Sequence, residues 1–168
     1  MDILKSGIDW AKAELVSTPF FILFGLAFIA ASIAFWLLGK TDIARAYIIP
    51  TLVAGGLLTI IGLGLFFTNK ARVTQFEKIY QKDPTAFVAT ELERAQKTVK
   101  DYTNVVFTAI PLIIAGCALV LVFVDKPLWR ASMITTIAML VVILLVDGTA
   151  QARLAAYQQQ LIEASKMH

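Results

Sequence analysis

Four stretches of the chain carry no charged side chain: residues 19–39, 46–69, 102–124 and 131–146. The first three hold 21, 24 and 23 residues, and the last holds 16. At 1.5 Å rise per residue, about 20 helical residues cross the roughly 30 Å hydrocarbon core of a bilayer. Apolar runs of that length constrain the chain to helices that span a membrane. Composition points the same way. Of 168 residues, 58% are apolar and only 16% charged, against about a quarter charged in soluble domains. Mean hydropathy is +0.75. The expected fold is one all-α domain: an integral membrane four-helix bundle of two transmembrane hairpins. Its spans are 19–39, 46–69, 102–124 and 128–148. The last borrows Leu128 and Trp129, because 16 residues reach only about 24 Å.

Small residues pattern the first two spans. Gly25, Ser32 and Gly39 recur at sevens in span one, beside Ala27 and Ala31. Thr51, Gly55, Thr59 and Gly62 follow small-residue spacing in span two. Such residues let helix backbones approach closely, a main source of association in lipid. A tight first hairpin is expected, with Gly25, Ser32, Gly55, Thr59 and Gly62 in its seam.

Between the hairpins lies the one long polar stretch. Lys70 to Gln81 has no breaker, so span two should run on into water with Val73, Phe76 and Tyr80 on one stripe. Asp83-Pro84 then stops one helix and caps the next. Val88, Leu92, Ala95, Val99 and Tyr102 follow at fours and threes, a short heptad seam. A helical hairpin over 70–101 is expected, backed by a C-terminal helix over 149–168 striped with Leu154, Tyr157 and Leu161. Span three follows without a breaker, and Pro111 inside it removes a backbone bond and can kink it.

The first 17 residues show apolar Ile3, Leu4, Ile8, Ala11 and Leu15 near a 3.6-residue period. This predicts an amphipathic helix along the membrane surface, with Trp10 at headgroup level. The other reading is an arm packed on the protein's own polar helices. Ser17-Thr18-Pro19 resembles a helix start, which would separate this segment from span one. Charges at Asp2, Lys5, Asp9, Lys12 and Glu14 do not fit a cleaved signal peptide. Lys and Arg number 11 on the side holding both termini and the polar hairpin, and four in the two short turns. Positive-inside logic puts both termini in the cytosol, with a bacterial cytoplasmic membrane as the expected location.

The halves also look alike. Ile43-Ala44-Arg45-Ala46 matches Leu128-Trp129-Arg130-Ala131, and Ala71-Arg72 with Phe76 matches Ala152-Arg153 with Tyr157. A duplication would have its axis along the membrane normal; chance similarity between two hairpins is the alternative.

No reactive constellation is visible, so no enzyme, cofactor or metal is expected. The sole histidine, His168, is terminal, which argues against haem and His-based metal sites. Cys117 stands alone, and no basic stripe suits nucleic acid. Asp147 is the one candidate functional charge, close to the end of span four. It would need protonation, hydration or pairing with Lys70 or Arg72; the plainer reading is an interface residue. Asp125 and Arg130 read as an exposed pair. The leading expectation is a homo-oligomeric scaffold that acts through its cytosolic helices, among membrane lipids and with a possible cytosolic protein partner. A channel or small transporter with its pore between protomers is the alternative. An enzyme on lipid headgroups is the third.

Overall fold

The computed structural model describes residues 2–166; Met1, Met167 and His168, the last with its expectation about haem and metals, lie outside the described residues. The fold is all-α. Helix α1 covers Ile3–Leu38, α2 Asp42–Ala46, α3 Ile48–Lys82 and α4 Pro84–Asp101; a π-helical segment, Tyr102–Ala109, joins α4 to α5, Ile110–Phe123; and α6 covers Pro127–Ser165. These amount to four long rods, each with a stretch long and apolar enough to cross a membrane. Every rod also continues beyond that stretch. The result is an apolar half and a polar half, the latter carrying the described ends of the chain.

The turn chemistry explains where the rods end. Asp83 leaves helical geometry, and its Oδ1 accepts from the Ala86 amide at 2.9 Å, with Pro84 as first helical residue. At the other end, Thr41 caps the short helix α2 by accepting from Ala44. The stretch 40–45 is thus part helix rather than a plain turn.

The helix break expected at residues 17–19 is absent. α1 runs unbroken through Pro19. Thr18 Oγ1 donates to the Glu14 carbonyl at 2.7 Å, and Ser17 Oγ donates to the same carbonyl at 3.2 Å. The hydroxyls therefore turn back on the preceding turn instead of capping a new helix. The N-terminal segment is not a separate surface helix, and Trp10 is buried rather than at headgroup level. The segment packs in the polar half, as the arm reading described.

In the polar half, α1, α3, α4 and α6 share one core. Ile3, Trp10, Phe76, Phe87, Leu154 and Tyr157 are among its buried members. Phe87 is 1% exposed, and its ring meets Phe76 and Tyr80 edge-on at 5.3 and 5.5 Å. Val88 is buried in this core, and Val73, Tyr80, Leu92 and Val99 pack half-buried against it. The stripes on the separate helices face one another inside a single chain.

In the apolar half, α1 lies tightly against α3. A Cβ added at Gly55 would sit 2.7 Å from the Gly25 carbonyl oxygen, and one at Gly62 would sit 3.0 Å from the Ile22 amide nitrogen. Only hydrogen on those α-carbons lets the backbones lie so close. Thr59 turns its hydroxyl back to the Gly55 carbonyl at 2.8 Å, beside Gly25. Ser32, 3% exposed, donates across to the Ile48 carbonyl at 2.7 Å. α6 closes on this pair through Val142 and Val146 against Phe21 and Leu58. α5 behaves differently: it packs along α6 and has little or no contact with α1 and α3. The third rod belongs to the bundle in its polar half and leaves it in the apolar half.

It leaves through the π segment. Proline at 111 has no amide to donate, and its ring would collide with the carbonyl four residues earlier, Phe107, in a tight α turn. The chain widens instead. The Ile110 amide donates to Val105, five residues back, and Thr108 Oγ1 donates to the Thr103 carbonyl at 2.8 Å.

Candidate functional site

Where the two halves meet, all four rods turn polar residues inward around a cavity of about 140 Å³. α1 brings Glu14, Ser17 and Thr18; α3 brings Asn69 and Arg72; α4 and the π segment bring Arg94, Thr98 and Tyr102; α6 brings Asp147. Phe21 and Val146 line it from the apolar core, and Trp10 and Leu154 from the polar core. Of its lining residues, Leu65 is 39% exposed, and Ser17, Arg72, Arg94, Thr98, Tyr102 and Asp147 are half-buried. Two larger clefts, about 360 and 430 Å³, lie between α1 and α6 and between α3 and α6, lined mostly by apolar side chains. In a bilayer such surfaces meet acyl chains, so the waist cavity is where polar chemistry concentrates.

Most charges around the waist are already matched. Arg153 Nε donates to Glu14 Oε1 at 3.0 Å, and its Nη2 donates to Ser17 Oγ at 2.7 Å. Arg94 forks onto the Glu91 carboxylate at 2.6 to 3.1 Å. Glu14 and Glu91 are 9% and 7% exposed. Buried carboxylates of this kind need charged hydrogen-bond partners. Two charges are left over. Arg72 donates to Asn69 Oδ1 at 2.8 Å, but among the described residues no carboxylate lies within 4.0 Å of it. Asp147 likewise has no cation within that distance. Burial, with the neighbouring Arg94, holds the Arg72 guanidinium below its usual pKa.

An aromatic stack sits above these charges. Trp10 lies on Tyr157 with ring centroids 5.5 Å apart and planes 9° from parallel. The guanidinium carbons of Arg94 and Arg72 lie 4.6 and 5.5 Å from the Trp10 centroid. Burial, then Glu91, pushes the Tyr157 phenol up from its usual pKa. Among the described residues, neither the Tyr157 hydroxyl nor Trp10 Nε1 has a hydrogen-bond partner.

Asp147 therefore lines an internal cavity and pairs with neither Lys70, which is exposed, nor Arg72. Gly25, Ser32, Gly55, Thr59 and Gly62 meet in the α1–α3 contact. The polar seam, from Val73 to Tyr157, meets in one core. Arg130 and Asp125 approach to 3.3 Å in the open at the far turn. Sequence reasoning passed over Glu14, Asn69, Arg94 and Arg153. The signal was present, since each falls on its own helix's inward stripe. Trp10, Glu14 and Thr18 are one example, and Asn69, Arg72 and Phe76 another. A polar residue that interrupts an apolar stripe at the same depth on several helices is the mark of a shared site.

Among the described residues, no group of three or more potential metal-ligating side chains gathers. The arrangement offers fixed charges of both signs, several hydroxyls and an amide, beside apolar walls. No family model, no curated protein and no solved structure matches the chain.

Proposed function

We propose that this protein is a cytoplasmic-membrane protein with both termini in the cytosol, and that it binds a membrane amphiphile at its waist. The polar headgroup occupies the charged cavity. The apolar part lies in the space between α3 and α5. The observation that carries this reading is a cavity with two unpaired charges, Arg72 and Asp147, at the depth where the third rod leaves the bundle. A void of roughly 150 Å³ holds a molecule the size of benzene, so the cavity accommodates a compact headgroup and not a whole lipid. Mixed polar and apolar lining is what a molecule with a wet end and a dry end requires.

The amphiphile reading keeps membrane lipid as the partner and assigns no bond-making step.

The test is lipid titration of the purified full chain in detergent micelles, read by native mass spectrometry. Phosphatidylethanolamine, phosphatidylglycerol and diacylglycerol with identical acyl chains serve as probes. At least one should bind saturably at one site per chain. Thr98→Trp, which fills the cavity from a half-buried position on its wall, should abolish that site while circular dichroism stays unchanged. Non-saturable adsorption, indifferent to Thr98→Trp, overturns the reading. Orientation is tested separately by labelling Pro84→Cys and Asp42→Cys from outside intact cells. Labelling at 84 rather than 42 overturns the cytosolic placement.

A further inference from the structure

We infer that the headgroup recognised at the waist is a zwitterion with a primary ammonium and a phosphate, the ammonium set against Asp147 and the phosphate against Arg72. This rests on the amphiphile-binding reading and goes one step beyond it.

Around the waist, Glu14 is matched by Arg153 and Glu91 by Arg94. What remains is one cation, Arg72, and one anion, Asp147, both on the cavity wall and neither with an ion partner within 4.0 Å among the described residues. Their charges sum to zero. A purely anionic headgroup would satisfy Arg72 and leave a second negative charge facing Asp147. An uncharged headgroup would leave both without a partner. A ligand that is neutral overall, with its charges separated, matches both ends. Guanidinium binds phosphate oxygens through its planar fork, and a carboxylate accepts from ammonium N–H groups. Asn69, 3% exposed and hydrogen-bonded to Arg72, holds that fork in place.

The type of cation follows from the aromatic group. A quaternary ammonium is held by aromatic faces, since it has no hydrogen to donate. The Trp10 ring that lines this cavity is already stacked on Tyr157 and approached by Arg94 and Arg72. It has no open face for a choline group. Asp147, in contrast, suits a donor. The chemistry therefore favours ethanolamine over choline as the nitrogen-bearing group. The same headgroup exists attached to lipid or free in water, and the experiment separates the two sources.

Trp10 is a local reporter if the other tryptophans, Trp36 and Trp129, are replaced by Phe; both lie exposed at the opposite end of the molecule. Its fluorescence is followed in full-length protein in micelles during titration with phosphatidylethanolamine, phosphatidylcholine, phosphatidylglycerol and diacylglycerol, and with soluble glycerophosphoethanolamine. Phosphatidylethanolamine should bind about tenfold or more tightly than the other lipids, the scale of one charge-assisted hydrogen bond. Asp147→Asn should erase that preference and leave phosphatidylglycerol binding equal or tighter. Arg72→Gln should weaken both phospholipids. Equal or tighter binding of phosphatidylglycerol by the unaltered chain overturns the zwitterion inference and leaves the amphiphile reading standing, and needs no cavity variant to fold. Unchanged ethanolamine preference in Asp147→Asn overturns it too. Saturable binding of none of the lipids overturns the amphiphile reading itself. Soluble glycerophosphoethanolamine should bind at least tenfold more weakly than the lipid; equal affinity overturns a lipid source and keeps the headgroup chemistry.

Discussion

The two hairpins of this protein are built on different terms. In the first, α1 and α3 touch along their whole length, and in the apolar half their backbones are separated only by glycine hydrogens and one cross-helix hydroxyl bond. In the second, α5 packs on α6 through ordinary side chains such as Ile110 against Leu140. Its glycines, Gly116 and Gly148, have no atom of another described helix within 4 Å of where a Cβ would stand. Yet matched residues occupy corresponding places. Arg45 reaches back to the Gly39 carbonyl at 3.3 Å, and Arg130 reaches back to the Leu121 carbonyl at 3.3 Å. Arg72 and Arg153 both stand at the waist, and Phe76 and Tyr157 both lie in the polar core. The comparison teaches that like positions do not impose like packing. One hairpin serves as a fixed wall. The other holds the π segment and the rod that moves away, and the cavity lies between them.

Glycine substitution tests that contrast most severely. Gly25→Leu or Gly55→Leu must force two backbones apart, and a loss of about 3 kcal/mol or more is expected. Gly116→Leu and Gly148→Leu meet open space and remove a poor helix former, so stability should hold or rise by up to about 1 kcal/mol. Thermal unfolding in one detergent measures all four. Similar losses in both pairs would erase the distinction between the hairpins.

The link between the hairpins comes next. Glu14 on α1 and Arg153 on α6 form the ion pair that ties one to the other. Glu14→Gln should cost about 2 kcal/mol, below the 3–5 kcal/mol of a fully buried pair because Arg153 keeps 31% of its side-chain exposure. The double variant Glu14→Gln, Arg153→Gln should recover part of this in a double-mutant cycle. Additive losses would mean that the hairpins are joined by apolar packing alone.

Serine gives a finer version of the glycine test. Ser32 bonds across to α3, while Ser132 bonds back to Leu128 in its own helix at 2.8 Å. Ser32→Ala should cost about 1 kcal/mol, the net worth of one cross-helix hydrogen bond, while the Ile48 carbonyl keeps the Thr51 hydroxyl at 3.2 Å. Ser132→Ala should change stability by less than about 0.5 kcal/mol. The smallest effect has the opposite sign. Tyr157→Phe makes the second hairpin like the first at the matched position and removes a buried hydroxyl with no partner among the described residues. Stability should be unchanged or up to about 1 kcal/mol higher; a clear loss would show that this hydroxyl is engaged.

Much of this architecture was legible in the sequence because its causes are local. Uncharged runs set the spans, Asp83 and Pro84 set the polar turn, and spaced glycines marked where backbones meet. The continuity of α1 was not legible. Ser17, Thr18 and Pro19 are equally good at starting a helix and at sitting inside one, and the choice fell to packing of Trp10 and Glu14 against α6, over 130 residues away in sequence. The π segment was hidden for a similar reason. Pro111 announces a disturbance, but whether the chain kinks or widens depends on its surroundings. The cavity was the least visible, since no helix supplies more than a few of its residues and every polar one has a bland local reading. Asp147 stood out only because it ends the shortest span.

The unbroken rods have a mechanical consequence. α1 has 36 residues, about 54 Å of continuous helix, and α3 lies along it, so the first hairpin acts as one stiff lever with its fulcrum where α6 closes on it through Val142 and Val146. A tilt of about 5° moves a point about 25 Å from that fulcrum by roughly 2 Å. With the apolar half in a bilayer, thickening or thinning of that bilayer, which helices accommodate by tilting, would reach Trp10 and Glu14. The thickness of the lipid and the shape of the waist would then be coupled by the stiffness of the backbone.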